Sequence, residues 1–181
     1  MKKRSKEKQK KLDDKILRAK QMKAAKQPAS MNILGIDQAT LAGLAWQKAG
    51  STKINTDLWD LSIGTRESQG MKWLRFEHRF RVFLSENKIV AVAYELPAGR
   101  NMKPIIHSSK LIAIMEKVCV EDEVEYVEFS AGEVKKFATA NGNANKEMMV
   151  QAAKDLWGYE GDDDNVADAI HILQLLKSKI N

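Results

Sequence analysis

Apolar and polar positions alternate differently in the two parts of this chain. From Asn32 onward, short apolar runs bounded by Gly, Asn and charged residues predict strands at 32–37, 42–48 and about 53–61, a pattern that reads as an antiparallel meander punctuated by Gly43 and Gly50. A helical period follows over 70–87, with Trp73, Leu74, Phe76, Phe80, Val82, Phe83 and Leu84 weighted to one side. The uninterrupted run Ile89-Val90-Ala91-Val92-Ala93-Tyr94, closed by Glu95, predicts a strand buried on both faces and therefore central in a sheet. A loop over 96–104, a helix over about 105–119, a strand over about 125–130 and a short helix near 131–139 come next. A polar loop at 141–145 and helices over about 146–157 and 164–178 finish the chain. Three meander strands followed by alternating helices and strands specify an α/β fold, a mixed sheet with helices on both faces.

The head is different. Residues 1–30 hold twelve Lys or Arg against Glu7, Asp13 and Asp14, a local +9, so residues 31–181 carry −3 of the total +6. Leu12, Ile16 and Ala19 form too thin a stripe to bury much. The head is expected to be a basic N-terminal arm, disordered or nascently helical, that attracts phosphates by counterion release. Residues 31–181 are expected to form one domain of ordinary size. A single cysteine, Cys119, excludes a disulfide framework and a multi-cysteine zinc site and fits a reducing cytoplasm. No apolar run approaches the ~20 residues of a membrane span, and neither GxGxxG nor GxxxxGK[ST] occurs, which argues against a nucleotide cofactor.

The chemistry lies in acids that end apolar segments. Asp37 and Glu95 each close an apolar strand, where burying a charge is costly unless something compensates it. Asp164 and Asp168 are four apart at the start of a helix, so both project from one face. Either Asp163 or Asp164 is suited to cap that helix, but no capping role explains Asp168 among Val166, Ala167, Ala169 and Ile170. Hard oxygen donors without a His or Cys cluster select Mg²⁺ or Mn²⁺. A pair of such ions suits phosphodiester hydrolysis.

Four segments in chain order carry a family likeness: Ile33-Leu34-Gly35-Ile36-Asp37 with Gly43-Leu44-Ala45-Trp46, then Ala93-Tyr94-Glu95, then Glu133 to Thr139 running into Asn141–Lys146, and finally Asp164-Asn165-Val166-Ala167-Asp168-Ala169-Ile170. They resemble the RuvC-type Holliday junction resolvases of the RNase H-like superfamily, most of all its phage and small bacterial members. The resemblance implies an RNase H-like five-stranded mixed sheet and an acidic quartet binding two Mg²⁺, with Mn²⁺ as a substitute. Asp37, Glu95 and Asp168 match three places of the quartet. The family's fourth acid commonly lies three residues before the last, where this chain has Asn165; Asp164, one step further back, is favoured because it alone restores the charge. Lys135, Lys136 and Lys146 resemble the family's DNA-side basic stretch, and Arg100 and Lys103, just after Glu95, join them as expected backbone contacts. The implied activity is a structure-selective endonuclease of four-way or other branched DNA, acting as a homodimer in the cytoplasm of a bacterial or phage-infected cell. The alternatives are an RNA-processing nuclease of the YqgF type and a catalytically quiet branched-DNA-binding protein. His171 is expected to be an accommodated helix histidine, and Trp73, Phe76, Phe80 and Phe83 to be core.

Overall fold

A computed structural model describes residues 2–99 and 101–181. In chain order the elements are α1 (Lys2–Ala25), β1 (Ile33–Asp37), β2 (Leu41–Gln47), β3 (Asn55–Asp60), α2 (Gln69–Asn87), β4 (Ala91–Leu96), α3 (Met102–Glu121), β5 (Glu125–Ser130), α4 (Ala131–Thr139), α5 (Lys146–Trp157) and α6 (Asp164–Ile180). The five strands form one sheet in the order β3-β2-β1-β4-β5, antiparallel on the meander side and parallel across β1, β4 and β5. This is the α/β mixed sheet that the hydrophobic pattern predicts. Among the described residues no helix is long and apolar enough to cross a membrane.

Strand periodicity divides the core in two. Leu34 and Ile36 of β1 and Val92 and Tyr94 of β4 face α2 and α3, joined by Trp59, Phe76, Phe80, Leu111 and Met115. Ile33 of β1 and Ala91 and Ala93 of β4 face the opposite layer, with Phe129, Val134, Phe137, Met149 and the apolar side of α6. Because side chains alternate along a strand, Asp37 and Glu95 fall on the α6 side.

The α6 backbone lies against that side because two strand residues lack side chains. A Cβ on Gly35 would come within 2.8 Å of the Leu173 Cα, and one on Gly43 within 2.6 Å of the Val166 nitrogen. Close approach of the backbone is a standard use of glycine inside a strand. Sheet, α1 and α5 then enclose α6 so fully that every residue from Ala169 to Lys177 is buried.

Three expectations are corrected. The basic head is not a loose arm: it forms α1, whose C-terminal half docks on α4 and α6. Arg18 donates from Nε to the Phe137 carbonyl and from Nη2 to the Ala138 carbonyl, both at 2.9 Å, and Ala25 and Ala29 are buried. These few apolar contacts suffice because Arg18 satisfies carbonyls at the end of α4 that have no intrahelical partner. The loop expected over 96–104 ends early, since Asn101 caps α3 and Pro104 sits in its first turn, where a missing N–H costs nothing. On α2, Leu74 and Val82 are exposed, and Trp73 and Phe83 are only partly buried.

Candidate active site

Asp37 and Glu95 leave adjacent parallel strands side by side, each one residue beyond the paired Ile36 and Tyr94. Neighbouring strands run about 4.8 Å apart, so the two carboxylates rise together on the α6 face. Gln38 braces them: its Nε2 donates to the Glu95 carbonyl (2.5 Å) and to Ser108 Oγ (3.0 Å), and Ser108 Oγ returns a bond to the Gln38 carbonyl (3.1 Å).

From the facing layer, α6 delivers Asp164 and Asp168. Asp163 is the N-cap, accepting from the Asn165 and Val166 amides at 2.9 and 3.1 Å, so Asp164 is released from that task. The Asn165 side chain also turns to Asp163, donating from Nδ2 at 3.3 Å. The charge of Asp164 reaches Asp37 and Asp168, while the Asn165 side-chain amide is turned to the cap.

The four carboxylates act on one another. Burial pushes Asp37 well above the ordinary carboxylate range, and the charges of Asp168, Glu95 and Asp164 push it further. Glu95 is raised to about 7 by burial and then by Asp168. Asp168 is raised to about 6 by burial and then by Asp164. Lysines oppose this from the rim: Lys135 on α4 acts on Glu95 and Asp168, and Lys146 at the start of α5 acts on Asp37 and Asp168 while forming an ion pair with Asp164.

Two local devices set those lysines. Ser130 and Glu133 form a capping box that fixes the start of α4 one turn before Lys135. On α5, Trp157 Nε1 donates to His171 Nδ1 (3.2 Å), so the imidazole proton lies on Nε2 and is donated to the Met149 carbonyl (2.9 Å). Burial holds this neutral imidazole down to about 4. His171 therefore pins α5 to α6, the accommodated histidine expected, and takes no part in the acidic set.

Of the other expected residues, Lys103 lies in the first turn of α3 beside Gln38 and Thr40. Lys136 points away from the acids and pairs with Asp14 of α1 at 2.7 Å, because successive helical residues face directions about 100° apart. Arg100 lies outside the described residues. Sequence reasoning missed Gln38 and left the cap open between Asp163 and Asp164. A polar residue directly after a strand-ending acid was the available signal for Gln38.

The donor set is all oxygen, which suits a hard divalent cation. One of its atoms, Asp168 Oδ1, is buried without a hydrogen-bond partner among the described residues, the condition a cation would relieve. Yet among the described residues no three His, Cys, Asp or Glu side chains close around a single point. Like charges in a buried site repel, and Lys146 draws Asp164 outward. The acids share a field but are not drawn together.

No family model and no curated protein matches the sequence. Solved structures do match. Thermus thermophilus RuvC in complex with a Holliday junction substrate aligns with a TM-score of 0.67 and 20% identity, over 80% of this chain and 92% of that one. Thermus thermophilus RuvC in a second structure gives 0.63 and 21% over the same shares. The yeast mitochondrial Holliday junction resolvase Ydc2 gives 0.58 and 12%, over 83% and 80%. The fold is accordingly RuvC-like.

Proposed function

We propose that this chain is a divalent-metal-dependent endonuclease of branched DNA, with four-way junctions as its principal substrate. One observation carries the reading. Acids from two adjacent strands and a helix, far apart in sequence, meet in one buried field with a lysine on either rim. Such mutual charge is costly without a compensating cation and supports a site that binds one. The fold neighbours, one of them in complex with a junction, support the choice of substrate.

Asp37, Glu95, Asp168 and Asp164 would hold Mg²⁺, two ions in this reading, with Mn²⁺ as a substitute. Bound there, the ions make hydroxide accessible near neutral pH and offset charge on the scissile phosphate. Asp37, the carboxylate on which all the others act, is the central ligand, and Gln38 holds the strand ends so that Asp37 and Glu95 keep their spacing. Lys135 and Lys146 receive the phosphates on either side of the cleaved one, with Lys103 along the neighbouring backbone. A homodimer follows from the need for two nicks in a two-fold junction.

Asn165 favours a second reading, a protein that binds branched DNA without cutting it. The test uses a four-way junction, a linear duplex and an RNA duplex, each with and without Mg²⁺. Paired nicks in the junction alone, lost in Asp37→Asn with affinity kept or raised, uphold the nuclease. Binding without a cut in the parent chain establishes the quiet protein, and a cut confined to RNA redirects the activity to RNA processing.

A further inference from the structure

Beyond Asp37 the β1–β2 turn leads away from the acids toward α2 and α3. A cleft of about 480 Å³ opens there, lined by Gln38, Thr40, Asn101, Lys103, His107 and Ser108. Across it Thr40 Oγ1 lies 3.4 Å from His107 Nε2, and the His107 ring stands 5.2 Å from the ring of Trp73. Two ammonium groups flank the same indole, Lys72 Nζ at 5.6 Å and Lys110 Nζ at 5.8 Å from its centroid. Trp73 itself is only partly buried, whereas Lys72 is 7% exposed.

Among the described residues neither lysine has a carboxylate within 4 Å, in contrast to Arg75, which is paired with Glu67. Asp60 is the acid whose charge reaches Lys72. Burial, and then those same two lysines, push the His107 imidazole below its ordinary value. Lys72 is buried and lines a separate cleft beside Asp60, so the exposed Lys110 is the ammonium group open to an anion, and the partly buried indole beside an imidazole offers a surface on which a base can stack. Phosphate and base together describe a nucleotide, and stacking on a side chain requires that its base be unpaired.

We propose that Trp73, His107 and Lys110 form a platform that holds an unpaired nucleotide of the DNA strand entering the acidic site. Its phosphate lies against Lys110 and its base against the Trp73 and His107 rings. The inference rests on the branched-DNA reading and adds that the protein grips the substrate strand on the side of the acids opposite Lys135 and Lys146. Strands near a branch point part from their partners, and that is where such a nucleotide becomes available.

The experiment uses the full chain carrying Asp37→Asn, which removes turnover, with fluorescence anisotropy on a short labelled oligothymidylate, a linear duplex and a four-way junction. Trp73→Leu and the exposed Lys110→Gln are each expected to weaken oligothymidylate binding by roughly tenfold. Lys110→Gln should also lower the salt slope by about one while leaving the melting temperature and linear-duplex affinity unchanged. Unchanged affinity in Lys110→Gln, or no oligothymidylate binding by the parent, overturns the platform. So does a change in sedimentation mass in place of an affinity loss, which makes the patch a contact between copies. Junction cleavage by the chain with Asp37 intact is scored separately. Cleavage with no platform effect sinks only the platform, and a platform effect with no junction preference sinks only the branched-DNA reading.

Discussion

Asp168 sits on α6 among Val166, Ala167, Ala169 and Ile170, with one carboxylate oxygen buried and, among the described residues, unpartnered. Keeping it charged there costs stability, and the pH dependence follows in sign. Asp168 at about 6 and Glu95 at about 7 hold protons that the unfolded chain has already released near pH 4. Their contribution is fully present below pH 4 and is lost as pH rises toward 7. His171 works in the other direction. Its folded value of about 4 lies below the ordinary 6.5, so its contribution is present above pH 6.5 and disappears as pH falls toward 4. Asp168→Asn should therefore raise the metal-free stability at pH 8 by about 1–3 kcal/mol and change little at pH 4. Thermal melts of both chains across that range check the prediction, and parallel curves would deny that the carboxylate is strained. Added Mg²⁺ should raise the melting temperature of the parent chain but not that of Asp37→Asn, a readout independent of cleavage.

At the scale of elements, the position of α6 determines the site. Gly35 and Gly43 let its backbone rest on β1 and β2, and that depth brings Asp164 and Asp168 level with the ends of β1 and β4. Gly43→Ala has nowhere to put its methyl group, since the Asn165 and Val166 backbone lies in the way. Such overpacking costs about 1–3 kcal/mol or more. Because the displaced turn carries Asp164, cleavage should fall further than stability does. Urea denaturation and junction nicking on the same sample measure the two losses. A variant that loses stability but keeps full nicking would show that the α6 N-terminus tolerates displacement. On the opposite side α5 depends on the Trp157–His171–Met149 chain for its placement, so a residue with no part in the chemistry still sets where Lys146 stands.

For the whole molecule, charge and fold are separately distributed: the folded body is slightly acidic and the positive excess lies on α1. The docked half of that helix, from Asp14 to Ala25, contacts α4 and α6, while Lys6, Lys8, Lys10 and Lys11 are exposed on the other half. Truncations can separate the two roles. Removing residues 1–12 should flatten the salt dependence of DNA binding and leave the melting temperature in place. Removing residues 1–30 should also lower the melting temperature, because Ala25, Ala29 and the Arg18 bonds go with it. Anisotropy titrations over a salt series, alongside melts, give both readouts. An unchanged salt slope after the shorter cut would make the exposed lysines bystanders.

Strand and helix positions, the mixed sheet and the placement of the candidate acids at strand ends and on one helix were legible in the sequence, because each depends on local periodicity or on a charge placed where an apolar segment ends. Asp37, Glu95 and Asp168 stand out for that reason, and so does the helical pairing of Asp164 with Asp168. The docking of α1 was not legible, since it rests on Arg18 reaching carbonyls more than a hundred residues away. Nor were the turning of Lys136 toward Asp14 and the choice of Asp163 as the cap. The gathering of Lys72 and Lys110 around Trp73 and His107 also escapes any one-dimensional pattern. Those outcomes are decided by which surfaces meet when layers pack, a long-range property that a residue's sequence neighbours do not carry.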